Sequence, residues 1–339
     1  MKIIITGGAG FIGCNAANRY VSQGHEVIIL DDLSRKGAEW NLNWLLLKEP
    51  ALRFFECDIR DEKRVESLFA QHADASLVVH LAGQVAVTTS IANPRDDFEA
   101  NAIGSFNILE AARKAGMGCP ILYASTNKVY GGLGDLEVRE EPERYRFASK
   151  PCGVCEEQPL DFHSPYGCSK GAADQYFRDY HRIYGLRTVV LRQSCIYGYR
   201  QFGVEDQGWV AWFMIAAELG RPITIYGDGK QVRDVLFIDD LLDAYDAAVA
   251  RIEIAAGQVY NIGGGPSNAM SLLQLLAFLR ERYPDLEYTH AGWRPGDQRI
   301  YVSDIRRAAE DLAWTPRTEF RAGLDKLQGW VAEKKDLFR

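Results

Sequence analysis

A tyrosine and a lysine four positions apart are the side chains best suited to proton chemistry in this sequence. Tyr166 and Lys170 follow Ser164, a good helix N-cap, and Pro165, which suits the first helical position. An amphipathic run continues to Gly185, where we expect the helix to end. The two side chains share one helix face, and an ammonium group close to a phenol stabilises the phenolate and lowers its pKa. The pair predicts a proton relay that operates near neutral pH.

This spacing is also common on solvated helices, so the function of the pair depends on what other elements place beside it. Residues 3–6 form a short apolar strand, residues 7–13 a glycine turn with the sequence GGAGFIG, and a helical pattern follows. Glycines allow a tight turn and a close approach to a pyrophosphate, whose charge is attracted by the N–H groups of the following helix. This strand, turn and helix predict a dinucleotide-binding site.

An acidic strand end indicates which dinucleotide binds. A second apolar strand, residues 27–30, ends at Asp31 and Asp32. A carboxylate at this position accepts hydrogen bonds from the adenosine ribose and repels a 2′-phosphate, which favours NAD over NADP. Arg35 and Lys36 weaken this preference, because a basic side chain accommodates a phosphate. Asp32 taken alone is equally well explained as a solvated acid.

The alternation of short apolar strands with helical stretches predicts an α/β fold. Further strands cover residues 53–59, 76–83 and 121–125. This pattern is typical of a Rossmann-type, doubly wound parallel sheet. Ligands of such sheets bind at the carboxyl ends of the strands, where we expect the hydroxyl of Thr126 to lie beside Tyr166. The strand ends expected on the cofactor side carry Asp58, Ala82 and Gly83.

The last third of the chain has a different pattern, which predicts a second, smaller lobe. Residues 207–214 are an aromatic-rich amphipathic stretch. A small lobe over the strand ends of the first domain would make a cleft, and we expect the substrate to bind there. The predicted boundaries are residues 1–193 plus 232–262 for the NAD-binding domain and residues 194–231 plus 263–339 for the substrate-binding lobe.

Three arginines of the last third are candidates for binding a diphosphate. Arg233, Arg294 and Arg299 carry guanidinium groups, which bind phosphate oxygens in a bidentate manner. A surface ion pair is the simpler interpretation for any one of them, but the set favours anion binding. Trp209 suits either stacking on a base or packing of the lobe, and the sequence leaves both open.

Composition and charge disfavour several other classes of protein. The chain has 339 residues, of which 47% are hydrophobic and 25% charged, as in an ordinary soluble protein, and its net charge of −7 argues against a nucleic-acid partner. No window is long enough to span a bilayer, so we expect no membrane partner and a cytoplasmic location. The seven scattered cysteines favour reduced thiols. Cys152 and Cys155 have metal-ligand spacing, but without a second pair we expect no metal site.

The motifs taken together resemble the extended short-chain dehydrogenase/reductase family of nucleotide-sugar enzymes. The matching segments extend over nearly the whole chain: TGGAGFIG at residues 6–13, CDI at 57–59, HLAG at 80–83, STNKVYG at 125–131, SPYGCSK at 164–170 and RD at 233–234. The resemblance implies NAD as the cofactor and Thr126, Tyr166 and Lys170 as the catalytic residues. It also implies cofactor contacts for Gly7, Gly10, Phe11, Ile12, Gly13, Asp31, Asp32, Ser34, Arg35, Asp58, Ile59, Leu81, Ala82, Gly83, Asn101, Tyr166 and Lys170.

Within this family the resemblance is closest to the CDP-sugar 2-epimerases. It is carried by residues 33–38, 84–90, 160–163, 200–202, 206–210 and 229–236. It implies a CDP-sugar as the nucleotide-sugar substrate and a homo-oligomer, dimer or tetramer, as the assembly. Cys195 departs from the family pattern, because many members carry Asn there. Substrate contacts are expected from Gln84, Thr126, Asn127, Gln193, Cys195, Gln207, Trp209, Arg233, Arg294 and Arg299.

The chemistry expected of such a site is a transient oxidation. The proton on C-2 of a nucleotide sugar is not acidic, because no carbonyl group stabilises the carbanion, so direct deprotonation is out of reach. Transfer of hydride to NAD while Tyr166 takes the hydroxyl proton gives a 2-keto sugar, which turns and receives the hydride on its other face. We expect Lys170 to hold the phenolate and the nicotinamide ribose, and Thr126 to orient the reacting oxygen.

Other members of the family use the same site differently. The 4,6-dehydratases carry an Asp-Glu pair directly after the threonine, whereas Asn127 and Lys128 stand here, so dehydration is disfavoured. A 4-epimerase applies the same machinery to another hydroxyl and is the second candidate. A dinucleotide-sensing protein without catalysis is the third, and the presence of Thr126, Tyr166 and Lys170 together argues against it.

Overall fold

The computed structural model describes residues 1–294 and 296–338. Its strands are β1 (Lys2–Thr6), β2 (Glu26–Asp31), β3 (Arg53–Glu56), β4 (Leu77–His80), β5 (Pro120–Thr126), β6 (Val138–Glu140), β7 (Tyr145–Phe147), β8 (Arg187–Gln193), β9 (Cys195–Tyr197), β10 (Ile223–Tyr226), β11 (Val232–Phe237), β12 (Val259–Ile262), β13 (Ala269–Ser271), β14 (Tyr288–Ala291) and β15 (Ile300–Tyr301).

The helices are α1 (Phe11–Ser22), α2 (Ala38–Lys48), α3 (Glu62–Gln71), α4 (Val87–Ala92), α5 (Pro94–Phe98), α6 (Gly104–Lys114), α7 (Ser164–Tyr184), α8 (Trp209–Glu218), α9 (Ile238–Ala250), α10 (Ile252–Ala255), α11 (Leu272–Arg282), α12 (Arg306–Leu312) and α13 (Phe320–Glu333). A π-helical turn, Glu99–Ile103, joins α5 to α6. Among the helices of the described residues, none combines the length and the apolar character needed to cross a membrane.

Seven strands form the central sheet in the order β12-β8-β5-β4-β1-β2-β3. Neighbouring strands from β5 to β3 run parallel. Strands β1, β2 and β4 are runs of branched aliphatic residues that are almost entirely buried, as in a parallel sheet covered on both faces. The chain starts in the middle of the sheet and winds outward in both directions. The predicted Rossmann-type, doubly wound α/β fold is therefore confirmed.

The chain divides into two compact units, of which the first contains Met1–Val129, Ser164–Arg192 and Tyr245–Tyr260. The rings of Tyr123 on β5 and Phe177 on α7 stack in its core with centroids 4.3 Å apart. Both side chains are fully buried. This contact holds helix α7 on the central sheet and so fixes the face on which the tyrosine and lysine lie.

Helix α7 begins at Ser164 and ends at Tyr184, as the sequence predicts. The Ser164 side chain accepts a hydrogen bond from the N–H of Gly167 at 3.2 Å. Its backbone has a φ of 65°, in the left-handed region that side chains other than glycine rarely occupy. Gly185 follows the helix with a φ of 71°, a conformation that glycine adopts without strain.

The second unit contains Tyr130–His163, Gln193–Ala244 and Asn261–Arg339. Strand β11 pairs there with β9, β13 and β15. The predicted domain boundaries differ from this division, because they place residues 130–163 and 232–244 in the NAD-binding domain. The physical reason is that β11 completes a separate small sheet, whereas the sequence shows only that it is an apolar strand.

Candidate active site

The glycine turn between β1 and α1 exposes a backbone surface, and a side chain at these glycine positions would occupy the space above it. Gly7 has a φ of 69°, and a Cβ atom on it would lie 2.7 Å from the backbone nitrogen of Ala82. A Cβ atom on Gly13 would collide with the carbonyl oxygen of Gly7. Gly10 is the N-cap of α1, and the first N–H groups of that helix have no partner within the helix. A backbone cradle at the start of a helix fits a pyrophosphate.

Asp31, at the end of β2, supports this turn. Its Oδ2 accepts a hydrogen bond from the N–H of Ala9 at 2.9 Å, and its Oδ1 accepts one from the N–H of Leu33 at 2.8 Å. Burial raises the pKa of the Asp31 carboxyl, and these hydrogen bonds oppose the shift. Asp32 is exposed and accepts a hydrogen bond from the Ser34 hydroxyl at 2.7 Å. The structure thus distinguishes the two acids: Asp31 is part of the turn, and Asp32 faces solvent.

The other predicted cofactor residues near the sheet edge also belong to the first unit. Ile59 is buried. Asp58 is half-exposed and paired with Arg60, whose Nε lies 2.8 Å from Oδ2 of Asp58. Of the other predicted cofactor residues, Phe11 and Ile12 are the first residues of α1, and Leu81, Ala82 and Gly83 directly follow β4.

Asn101 lies buried in the π-helical turn. Its Nδ2 donates a hydrogen bond to the Ser169 hydroxyl at 3.1 Å. Its Oδ1 has no hydrogen-bond partner among the residues that the structure describes. A buried acceptor without a partner is unusual, so it is a place where a bound ligand can donate a hydrogen bond. Together with the glycine cradle it fits a dinucleotide.

Thr126 and Tyr166 meet in the first unit, and both are buried. The Thr126 hydroxyl lies near the Tyr166 phenol and favours its phenolate form. Burial raises the pKa of Tyr166 to about 12, while the Thr126 hydrogen bond and the positive charge of Arg35 oppose the shift. The expectation that this pKa lies below its ordinary value is therefore wrong, because the loss of hydration outweighs the groups that stabilise the phenolate.

Lys170 lies one turn further along α7 and is also buried. Its Nζ donates a hydrogen bond to the carbonyl oxygen of Ala124 at 2.7 Å and lies 4.4 Å from the centre of the Tyr123 ring. Burial lowers the pKa of Lys170 to about 7, while the charges of Asp174 and Asp97 oppose the shift. The group of the pair that titrates near neutral pH is therefore the lysine, whereas the sequence pointed to the tyrosine.

Two buried acids next to this pair were missed by the sequence analysis. Asp174 accepts hydrogen bonds from Nε and Nη2 of Arg192, both at 2.9 Å, and from the Ser125 hydroxyl at 2.7 Å. The side chains of the ion pair are 0% and 2% exposed. Its position four residues after Lys170 on an amphipathic helix was the available signal. The contact of the other acid, Asp97, with Ser169 had no such signal, because 72 positions separate the two residues, and only its spacing of four residues from Asn101 was a local one.

Two predicted substrate residues of the first unit are held by protein groups. Nε2 of Gln84 donates to Asp97 at 2.7 Å and to the carbonyl oxygen of Ala86 at 2.8 Å, and its Oε1 accepts from the N–H of Ala86. Asn127 is buried beside Thr126, whose hydroxyl lies 3.4 Å from Oδ1 of Asn127. Substrate contact by these two side chains stays a prediction.

In the second unit, the structure brings two further predicted substrate residues together. The indole N–H of Trp209 points to Sγ of Cys195 at 3.4 Å, and its ring packs edge-on against Phe213 at 6.1 Å. These contacts show that Trp209 packs within its unit. Gln193, at the end of β8, is buried, and Gln207 is half-buried just before α8.

The three predicted arginines lie in separate environments of the second unit. The guanidinium of Arg294 stacks on the Tyr226 ring at 3.6 Å, and its Nη2 lies 2.9 Å from Oδ1 of Asp206. Arg299 is exposed and lies over the Tyr145 ring at 5.7 Å. Arg233 is half-buried on β11, and its Nη1 donates to the carbonyl oxygen of the preceding residue at 2.8 Å.

The cysteine pair at positions 152 and 155 gives no sign of a metal centre. Cys152 and Cys155 are free thiols, and burial raises the pKa of Cys155. Within residues 1–294 and 296–338, no three His, Cys, Asp or Glu side chains are grouped so that they hold a metal ion.

The sheet order and the glycine cradle define a Rossmann-type, dinucleotide-binding fold, and Thr126, Tyr166 and Lys170 lie buried in the same unit. The chain belongs to the NAD dependent epimerase/dehydratase family, whose model matches residues 3–263. The resemblance to the extended short-chain dehydrogenase/reductases is thereby confirmed, and so are an enzymatic function and NAD as the cofactor.

Individual relatives are more specific than the family. CDP-paratose 2-epimerase of Salmonella typhi is 46% identical over 338 residues, which cover 98% of this chain and 99% of the relative. The structure of UDP-glucose 4-epimerase from Thermotoga maritima with UDP-glucose matches with a TM-score of 0.85 at 32% identity, over 99% of this chain and 100% of that one. A dTDP-glucose 4,6-dehydratase from Streptomyces venezuelae with NAD bound matches with a TM-score of 0.85 at 28% identity, over 100% of this chain and 99% of that one. Each relative is named for a nucleotide sugar, and this chain is a homologue of the CDP-paratose 2-epimerase.

Proposed function

We propose that this protein is an NAD-dependent epimerase that inverts C-2 of CDP-paratose to give CDP-tyvelose, or acts in the same way on a related CDP-sugar. The observation that carries the proposal is the 46% identity to CDP-paratose 2-epimerase of S. typhi, which extends over 98% of this chain. The catalytic residues proposed are Thr126, Tyr166 and Lys170, and their placement in the first unit supports a transient oxidation.

Proton transfer is the task of Tyr166 and its neighbours. Bound NAD supplies the acceptor and later the donor of hydride, together with the positive charge of its oxidised ring. Tyr166 takes the proton of the C-2 hydroxyl as the 2-keto sugar forms and returns it when hydride arrives on the opposite face. The Thr126 hydroxyl favours the phenolate form of Tyr166, and its proposed role is to orient the reacting oxygen. Because the pKa of Tyr166 is about 12, its phenolate is a strong base, and the charge of Arg35 favours its formation.

Lys170 keeps a proton available at neutral pH. Its pKa of about 7 allows both forms to be populated there, and the hydrogen bond to Ala124 fixes its position on the sheet edge. A general acid or base works best when its pKa lies near the working pH. Lys170 therefore takes up or releases a proton near neutral pH with little cost.

Binding of the nucleotide diphosphate is assigned to the arginines of the second unit. Arg294 is held by Asp206 and stacks on Tyr226, so its fork of donors is ordered before a ligand arrives. Arg233 is half-buried on β11, next to the buried Asp234. Arg299 is exposed and adds positive charge.

Dehydration is disfavoured by the two residues after Thr126. Asn127 and Lys128 occupy the positions at which the 4,6-dehydratases carry Asp and Glu. An amide has no proton that it gives up in the physiological range, so Asn127 cannot act as the acid of an elimination. Epimerisation needs no such acid.

Inversion at C-4 is the second candidate, because UDP-glucose 4-epimerase of T. maritima shares the fold with a TM-score of 0.85 at 32% identity. An NMR assay with CDP-, UDP- and GDP-sugars and no added NAD separates the two. We expect conversion of CDP-paratose to its C-2 epimer. Activity confined to UDP-hexoses, with inversion at C-4, would overturn the proposal.

Arg294→Lys should raise KM for the accepted sugar more than it lowers kcat.

A non-catalytic dinucleotide sensor is distinguished by one substitution. Tyr166→Phe removes the proton acceptor but retains the ring, so an epimerase should lose about two to four orders of magnitude in kcat. NAD binding, measured by calorimetry, should be retained. A variant with unchanged turnover would show that Tyr166 is not the base.

The proposed assembly is a homodimer formed by helices α6 and α7. Large apolar side chains are exposed on them: Phe106 is 36%, Tyr176 48%, Ile183 65% and Tyr184 51% exposed. An exposed apolar patch of this kind is typical of an interface between proteins. Analytical ultracentrifugation should show a dimer that Ile183→Asp converts to a monomer.

The proposed location is the cytoplasm. All seven cysteines are free, which is typical of a reducing compartment. Fractionation of cells that express the protein should place it with the cytoplasmic enzymes.

A further inference from the structure

Asp97 is a buried acid that the proposed mechanism does not use. It lies on the short helix α5 and is 1% exposed. Three donors converge on its carboxylate: the Ser169 hydroxyl at 2.6 Å, Nε2 of Gln84 at 2.7 Å and Nδ2 of Asn101 at 3.2 Å. A carboxylate is an acceptor with several lone pairs, so the ionised form satisfies all three donors at once.

Two of these donors connect Asp97 to the candidate active site. Ser169 stands between Tyr166 and Lys170 on α7, and its hydroxyl also accepts a hydrogen bond from Nδ2 of Asn101 at 3.1 Å. Asn101 is the residue whose Oδ1 has no partner among the described residues. The Asp97 carboxylate therefore fixes the segment of α7 between Tyr166 and Lys170 and the orientation of the Asn101 amide together.

The charge of Asp97 acts on both members of the catalytic pair. It raises the pKa of Tyr166, on which the Thr126 hydrogen bond and Arg35 act in the opposite direction. It also raises the pKa of Lys170, together with Asp174. Burial raises the pKa of Asp97 itself, whereas Ser169, Gln84 and Lys170 favour its ionised form and Asp96 disfavours it.

We propose that Asp97 is a positioning residue that holds, through Ser169, the part of α7 that carries Tyr166 and Lys170, and with it the amide of Asn101. This inference rests on the proposed function for its catalytic part, but the ionisation of Tyr166 is measurable without a substrate. A purely structural role would affect stability alone. The negative charge of Asp97 also raises the pKa of Tyr166, so its removal moves the titration of that phenol.

The test is the titration of Tyr166 in the protein. Absorbance of tyrosinate at 295 nm is followed against pH for the protein and for its Tyr166→Phe variant, and the difference isolates Tyr166. In Asp97→Asn the midpoint should fall, because a negative charge that raises the pKa of the phenol has been removed. Asp96→Asn removes a charge from the exposed neighbouring residue and should move the midpoint much less. An unchanged or higher midpoint in Asp97→Asn would overturn the proposal.

Turnover supplies a second, independent measurement. Ser169→Ala breaks the bond to Asp97 without altering any charge, so kcat should fall at least ten-fold while KM and the Tyr166 midpoint stay the same. A kcat of Ser169→Ala equal to that of the wild type would overturn the positioning role. This measurement remains decisive if the Asp97→Asn variant does not fold. If CDP-paratose is not turned over, the proposed function fails, and the titration still decides the role of Asp97.

Discussion

Replacing Arg192 with methionine leaves Asp174 charged inside the first unit without its guanidinium partner. The side chains of this pair are 2% and 0% exposed, so solvent cannot replace the two lost hydrogen bonds of 2.9 Å. Breaking a buried ion pair from one side costs about 3 to 5 kcal/mol. Asp174 keeps neutral donors in Ser125 and Gln175, at 2.7 and 2.9 Å. We therefore expect the lower end of the range, a loss of about 3 kcal/mol in the free energy of unfolding.

Urea denaturation followed by circular dichroism measures this loss, and strand β8 offers a matched control. Arg187, at the start of the same strand, pairs with Glu253 with side-chain exposures of 32% and 87%. Arg187→Met should cost less than about 1 kcal/mol, because an exposed ion pair contributes little. The double variant Asp174→Leu/Arg192→Met should be more stable than Arg192→Met alone, since it leaves no unpaired charge. Equal losses for Arg187→Met and Arg192→Met would refute the reasoning.

Two further predictions concern pH and the cofactor. Folding lowers the pKa of Lys170 to about 7. Between pH 7 and the ordinary lysine pKa, the unfolded chain therefore binds more protons than the folded chain. The free energy of unfolding should rise with pH in this range by up to about 1.4 kcal/mol per pH unit. Lys170→Met should remove this rise in urea denaturation at pH 7.5 and 9.0, and an identical rise in the variant would contradict the assigned shift. Gly13→Ala places a Cβ atom against the Gly7 carbonyl and should weaken NAD binding in calorimetry at least ten-fold, whereas Gly118→Ala, which meets no atom within 4 Å, should bind normally. Normal binding by Gly13→Ala would show that the cradle does not receive the cofactor.

The sequence predicts the frame of the site well, because local rules determine it. Gly7 needs a positive φ, and α7 starts at Ser164 and stops before Gly185, all of which follow from backbone preferences within a few residues. The order of apolar strands and helices in turn predicts the doubly wound sheet. The fold and the bounds of helix α7 can therefore be predicted without knowledge of tertiary contacts.

Properties that depend on burial and on distant contacts could not be predicted. Spacing places Lys170 near Tyr166 but gives no measure of how much water each loses, and burial reverses the expected shift of the Tyr166 pKa. Asp97 meets Ser169 across 72 positions of the chain, so no local pattern indicates the contact. The membership of β11 in a separate sheet likewise depends on pairing partners that an apolar run does not specify.

The carboxylate of Asp31 has a consequence for redesign of cofactor preference. An engineer who wishes this protein to use NADP would first replace the acid at the strand end. Here both carboxylate oxygens of Asp31 accept hydrogen bonds from backbone N–H groups, those of Ala9 and Leu33. Its removal would therefore destabilise the glycine turn that must receive the phosphates. Asp32 and Ser34 are exposed and hydrogen-bond to each other, the Asp32 carboxylate accepting from the N–H and the hydroxyl of Ser34. Changes there, which add positive charge and leave Asp31 in place, are the route by which the preference can be altered without loss of the binding turn.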